Sequence, residues 1–119
     1  MKTADDWRTT LRAALKVSMR SRQSDTVAAL RETLAAIDNA EAVAQSAAPA
    51  VQQGVIAGGV AGLGAGEVPR RALSPEEVQA VIDRELNERR AAAAAYAALG
   101  RHDEAERLNR QLEVLAALG

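Results

Sequence analysis

The chain contains no cysteine, no phenylalanine and a single histidine, His102. Without thiols, disulfides, thiolate nucleophiles and cysteine-based metal centres are excluded. One imidazole cannot build a multi-histidine metal site, and a histidine-based triad would have to be assembled around His102 alone. Only two aromatic rings are present, Trp7 and Tyr96. A base-stacking platform for single-stranded nucleic acid needs several exposed rings, so that mode is excluded too. Neither charge sign dominates: 15 Lys and Arg stand against 16 Asp and Glu, a net charge of −1 over 119 residues. The longest uncharged run, residues 42–66, is interrupted by six glycines and is poor in leucine and isoleucine. That composition does not make a membrane-spanning helix. The opening MKTADDWRTTLR has no apolar segment of the kind a secretion signal needs. These features lead us to expect a soluble, cytoplasmic protein.

What remains is alanine, which dominates a hydrophobic fraction of 48%. A core built from so small a side chain must be thin and closely packed, which suits helices better than sheets. The length fits one domain. A first helix is expected over 4–21, capped by Thr3 with Asp6 at its third position. Its apolar face is Trp7, Leu11, Ala14, Leu15 and Ser18. After a short turn, a second helix is expected over 26–43, capped by Ser24 or Asp25, with Val27, Leu30, Leu34 and Ile37 inward. A third begins at Pro75, where Ser74, Pro75 and Glu77 form a complete start signal, and runs to about 98. Its stripe is Val78, Val81, Ile82, Leu86, Ala92, Ala93 and Tyr96. Gly100 ends it. Asp103 is expected to cap a fourth helix over 104–118, with Leu108, Leu112, Leu115 and Leu118 inward. The fold class is therefore all-α: a small four-helix bundle of two helical hairpins, 1–43 and 74–119. Residues 44–73, which hold six of the eight glycines and two of the three prolines, are expected to form a long flexible linker.

Charge is distributed unevenly. Residues 1–31 carry seven basic and three acidic side chains, a local excess of four. Arg8, Arg12, Lys16 and Arg20 recur every four residues and form a basic stripe beside the apolar one. Such a stripe can follow a phosphate backbone, each contact releasing counterions, although solvated helix faces also carry charge. Arg90 points off the apolar stripe of its helix and is a further phosphate candidate. A second group lies on the apolar stripes themselves. Glu85 and Arg89 are four apart, in the favourable order for an ion pair. Glu41 extends the inward face of the second helix, so a semi-buried Glu41–Arg89–Glu85 cluster is expected. It would serve either as a ligand site between the helices or as a contact that fixes their register. No acid–base pair, nucleophile or phosphate loop converges anywhere, so no catalytic residue, metal or cofactor is assigned.

Three segments carry a family resemblance: ALRETLAAIDNAEAV (29–43), LSPEEVQAVIDRELNERR (73–90) and ALGRHDEAERLNRQLEVL (98–115). The order and spacing of Leu30-Arg31, Asn39-x-Glu41, the Ser74-x-x-Glu77 cap, Glu85-Leu86-x-x-Arg89 and Gly100-Arg101-x-Asp103 resemble the YqeY-like family. That family is related to the C-terminal domain of the B subunit of the Asp/Glu-tRNA amidotransferase. The resemblance covers the four helices and not the linker. It implies a helical module in the setting of glutamine-dependent tRNA amidation, a carbon–nitrogen ligase reaction whose chemistry belongs to other domains. The partner it implies is tRNA, or a protein of the amidotransferase or synthetase type. Members of the family continue beyond the fourth helix into a second subdomain associated with tRNA contact. Any contact made by the present residues would fall to Arg8, Arg12, Lys16, Arg20, Arg90 and Arg101. A protein-interaction or dimerisation module, using Trp7 and the alanine-rich third helix, is the alternative.

Overall fold

The computed structural model describes residues 1–47 and 72–119. Among them are four helices and no strand: α1 (Ala4–Arg20), α2 (Ser24–Ala47), α3 (Pro75–Ala98) and α4 (His102–Ala117). The all-α fold is thus established. The flexible connection expected over 44–73 lies mostly outside the described residues. Its two edges differ from expectation: α2 continues to Ala47, and Leu73 is buried. The reason at Leu73 is local. It stands one residue before the Ser74 cap, and Val78 stands at the fourth helical position; both join the core, as in a hydrophobic staple.

α1 and α3 open in the same way. The Thr3 hydroxyl accepts from the Asp6 N–H and the Asp6 carboxylate accepts from the Thr3 N–H, both at 3.1 Å. Ser74 and Glu77 repeat this reciprocal arrangement at 3.0 Å. α2 and α4 begin otherwise. α2 starts at Ser24 rather than being capped by it, and the Val27 N–H bonds to the Gln23 carbonyl at 3.0 Å. Asp103, expected as a cap, lies in the first turn of α4, behind an Arg101 that makes no side-chain cap.

α2 packs against each of the other three helices. Its buried sector is accordingly wide and rotated from the expected face. Leu30 and Ile37 are inside as expected, joined by Thr26, Ala29 and Thr33, while Val27 and Leu34 are half-buried. Thr33 and Thr26 tolerate burial because their hydroxyls donate to the Ala29 carbonyl at 2.7 Å and the Gln23 carbonyl at 3.0 Å. On α4, Leu115 is buried with Ala105 and Gln111, whereas Leu108, Leu112 and Leu118 are half-buried.

Trp7 is 1% exposed and anchors one end of the bundle. Lys2 lies over its ring, 4.7 Å from the centroid, and donates to the Leu118 carbonyl, tying the start of α1 to the end of α4. The indole N–H has no hydrogen-bond partner among the described residues.

Candidate functional site

The charged side chains include two arginine hubs, several further ion pairs and a basic group that pairs with no carboxylate among the described residues. Arg89 is 6% exposed. Its Nη1 donates to Glu85 Oε1 at 3.1 Å and to the Glu85 carbonyl at 3.2 Å. Its Nε donates to Gln111 Oε1 at 3.2 Å, and its Nη2 reaches Glu32. Gln111 in turn donates to the Asp25 carbonyl at 3.0 Å. The network joins α2, α3 and α4, and it satisfies the hydrogen-bonding requirement of a buried charge.

Glu85 and Arg89 pair as the spacing predicts, but Glu41 is not their partner. Glu41 belongs to a second hub, where it accepts from Arg8. Arg8 also bonds Asp38 Oδ1 at 2.8 Å and lies 3.4 Å from Asp5. The rotated inner sector of α2 explains the exchange. It turns Glu41 toward α1 and lets Glu32 reach Arg89 from the opposite flank. Burial works against the Arg8 charge, yet the hydrogen bonds it donates to Glu41 and Asp38 outweigh it and its pKa is raised. With a side chain only 17% exposed, Arg8 is committed to internal carboxylates.

The other three members of the stripe differ. Arg12, Lys16 and Arg20 are exposed and pair with no carboxylate among the described residues. Arg22 in the α1–α2 turn and Arg31 on α2 share that condition. Both line a pocket of about 470 Å³ with Met19, Ser24, Val27 and Ala28. The acidic residue nearest this end, Asp25, is already held by Arg110 at 2.8 Å and Arg107 at 3.5 Å from α4. Positive charge is thus concentrated around the α1–α2 turn of a chain with net charge −1.

Arg90 and Arg101 stand apart from this group. Arg90 is exposed on α3 and donates to Asn87 at 2.9 Å. Arg101 lies in the α3–α4 turn, paired with Glu104 at 2.7 Å and set 5.4 Å from the centroid of Tyr96. His102 is exposed at the first position of α4.

Glu32, Asp38, Gln111, Arg22 and Arg31 are participants that the helical stripes did not single out. For Arg22 a signal existed: it follows a helix end at a position where glycine is the common choice. For Gln111, burial of a polar side chain depends on Arg89 from another helix, which no local pattern records.

Among the described residues, no group of three or more His, Asp or Glu stands close enough to hold a metal ion, and no helix is long and apolar enough to cross a membrane. α2 and α3 border a groove of about 610 Å³ with an alanine-rich floor and the exposed Val43 at its edge. No family model matches the chain, and no curated protein or solved structure does.

Proposed function

We propose that the chain is a non-catalytic helical module that associates with tRNA through the basic surface around the α1–α2 turn. The observation that carries this reading is the contrast within one stripe: Arg8 is neutralised by Asp38 and Glu41, while Arg12, Lys16 and Arg20 have no carboxylate partner among the described residues, which suits an external anion. The three recur at about 6 Å along α1, from the ~1.5 Å rise per residue. The resemblance to YqeY-like proteins supports the choice of tRNA among polyanions. It also supports a setting of glutamine-dependent tRNA amidation, with the carbon–nitrogen ligase chemistry supplied by other polypeptides or domains. A protein-binding module without nucleic-acid affinity is the second reading, and the groove between α2 and α3, with its alanine-rich floor and charged rim, favours it.

Titration of labelled bulk tRNA at two salt concentrations tests the proposal. Three phosphate contacts give a log–log salt slope of about −2 to −3. The double substitution Arg12→Glu, Lys16→Glu is expected to abolish binding with helicity unchanged, since both side chains are exposed. Absence of wild-type binding even at low salt would remove the nucleic-acid reading and leave the protein-binding one.

A further inference from the structure

Arg22 has φ +56°, the only positive φ at a non-glycine residue among the described residues. It closes α1 in a Schellman turn: the Arg22 N–H donates to the Met19 carbonyl at 3.2 Å and the Gln23 N–H to the Ser18 carbonyl at 3.0 Å. The same turn closes α3, where the Gly100 N–H donates to Ala97 at 3.0 Å and the Arg101 N–H to Tyr96 at 2.9 Å. There the left-handed position is a glycine, with φ +76°. A left-handed conformation is costly for a residue with a Cβ, and strain of this kind is characteristic of functional positions. The Arg22 side chain contributes no hydrogen bond or ion pair that would account for its choice within the described structure. It does project cationic charge at the end of the hairpin where Arg20 and Arg31 also have no carboxylate partner among the described residues.

We infer that Arg22, with Arg20 and Arg31, forms a clamp for the phosphate backbone of double-helical RNA. The inference rests on the tRNA reading above and narrows it to the stem regions of such a ligand. Two observations select a duplex over a single strand. First, single-strand binding draws on bases stacked on exposed aromatic rings. The only two rings here are withdrawn: Trp7 is buried and Tyr96 is half-buried beneath Arg101. Second, the cations sit on a two-helix hairpin whose turn is closed by backbone hydrogen bonds. Cations clustered on such a hairpin suit the dense phosphates of a double helix, where the counterion density is also greater. With no ring to stack and no unpaired acceptor among them, these arginines read backbone rather than sequence.

The decisive experiment compares a short blunt RNA duplex with one of its own strands, across a salt series, for the wild-type chain, Arg22→Gly and Arg22→Lys. The duplex is expected to bind about tenfold more tightly than the strand at low salt. Arg22→Gly is expected to lower the salt slope by about one and weaken binding uniformly across duplex sequences, as loss of one phosphate contact does. Arg22→Lys is expected to restore the slope. An unchanged slope in Arg22→Gly overturns the role of Arg22 while leaving the tRNA reading intact. Equal or tighter binding of the single strand overturns the duplex assignment alone. Failure of duplex, strand and tRNA all to bind at low salt removes this inference and the proposed function together.

Discussion

The two hairpins use the same punctuation and spend it differently. Each opens on a reciprocal capping box, at Thr3 and Asp6 in one and Ser74 and Glu77 in the other. Each reverses in three residues through a Schellman turn, and in each second helix the residue expected as its cap lies within the first turn. The differences lie in what fills the equivalent positions. The fourth residue of α1 is Trp7 beneath Lys2, and that of α3 is Val78 beside Leu73. The left-handed turn residue is Arg22 in one hairpin and Gly100 in the other. Each hairpin also has one arginine hub, but Arg8 binds α2 within its own hairpin, whereas Arg89 reaches out of its hairpin to Glu32. Local backbone chemistry therefore makes the two units alike. Between them, Arg89 is the buried charged link, beside a shared apolar core and the contacts of Asp25 with Arg110 and of Lys2 with the Leu118 carbonyl.

The largest expected effect breaks that connection. Arg89→Ala leaves Glu85 and Gln111 without their cation and separates α3 from Glu32. Because Glu32 remains largely exposed, we expect a loss of about 2–4 kcal/mol, at or below the usual cost of breaking a buried pair. Arg90→Ala, its exposed neighbour, is expected to change stability by no more than about 0.5 kcal/mol. Urea unfolding of both variants measures the difference. Coincident midpoints would mean that the buried network does not join the hairpins.

The same distinction explains what was legible in the sequence. The starts of α1 and α3 were readable to the residue, because a capping box is complete within four positions. Gly100 was readable as a helix end for the same reason. The apolar face of α1 was readable because α1 has one main neighbour. The inner face of α2 was not, because this helix meets three others and buries Thr26 and Thr33, whose hydroxyls bond to backbone carbonyls three and four residues earlier. That rotation also reassigned Glu41 from Arg89 to Arg8. The pair Glu85 and Arg89 was recoverable from i, i+4 spacing; Glu32, 57 positions away, was not. The basic stripe could be seen as four equivalent cations. Only the packing of α2 shows that the first is internally neutralised.

Exchanging the turn residues sharpens the comparison at a smaller scale. In Gly100→Ala the added Cβ meets nothing within 4 Å, so any cost is backbone strain alone. The expected loss is about 1 kcal/mol, from a left-handed penalty of roughly 1–2 kcal/mol partly offset by a stiffer unfolded chain. Arg22→Gly runs the other way and is expected to stabilise by about 0.5 kcal/mol, the strain relief less the added unfolded-state entropy. The expected pattern is opposite shifts of the melting temperature in the two variants. If both variants lowered it, Arg22 would hold native contacts beyond its own backbone, and the two turns would not be equivalent.

The smallest effect separates two surface carboxylates by cause. Asp6 is held below the ordinary Asp range chiefly by the Thr3 backbone N–H and then by the Thr3 hydroxyl. Glu104 is held below the ordinary Glu range first by its hydrogen bond from Arg101 and then by its own backbone N–H. A depressed carboxylate pKa means that the folded state binds its proton less readily than the unfolded chain. Each contribution is therefore complete above the unfolded values of about 3.9 and 4.3 and is lost as pH falls through the lower folded values. Melting temperature followed from pH 6 downward should fall less steeply in Asp6→Asn and in Glu104→Gln than in the wild-type chain. Salt distinguishes the two. The Arg101–Glu104 pair is exposed and screened, since the Debye length shrinks to about 3 Å at 1 M. The Thr3–Asp6 interaction draws on neutral N–H and O–H dipoles and persists. High salt should therefore merge the Glu104→Gln profile with wild type while leaving the Asp6→Asn profile distinct. If high salt merged both, the cap of α1 would owe its acid sensitivity to the neighbouring Lys2 charge, and the two hairpins would be stabilised at these positions by the same screened electrostatics.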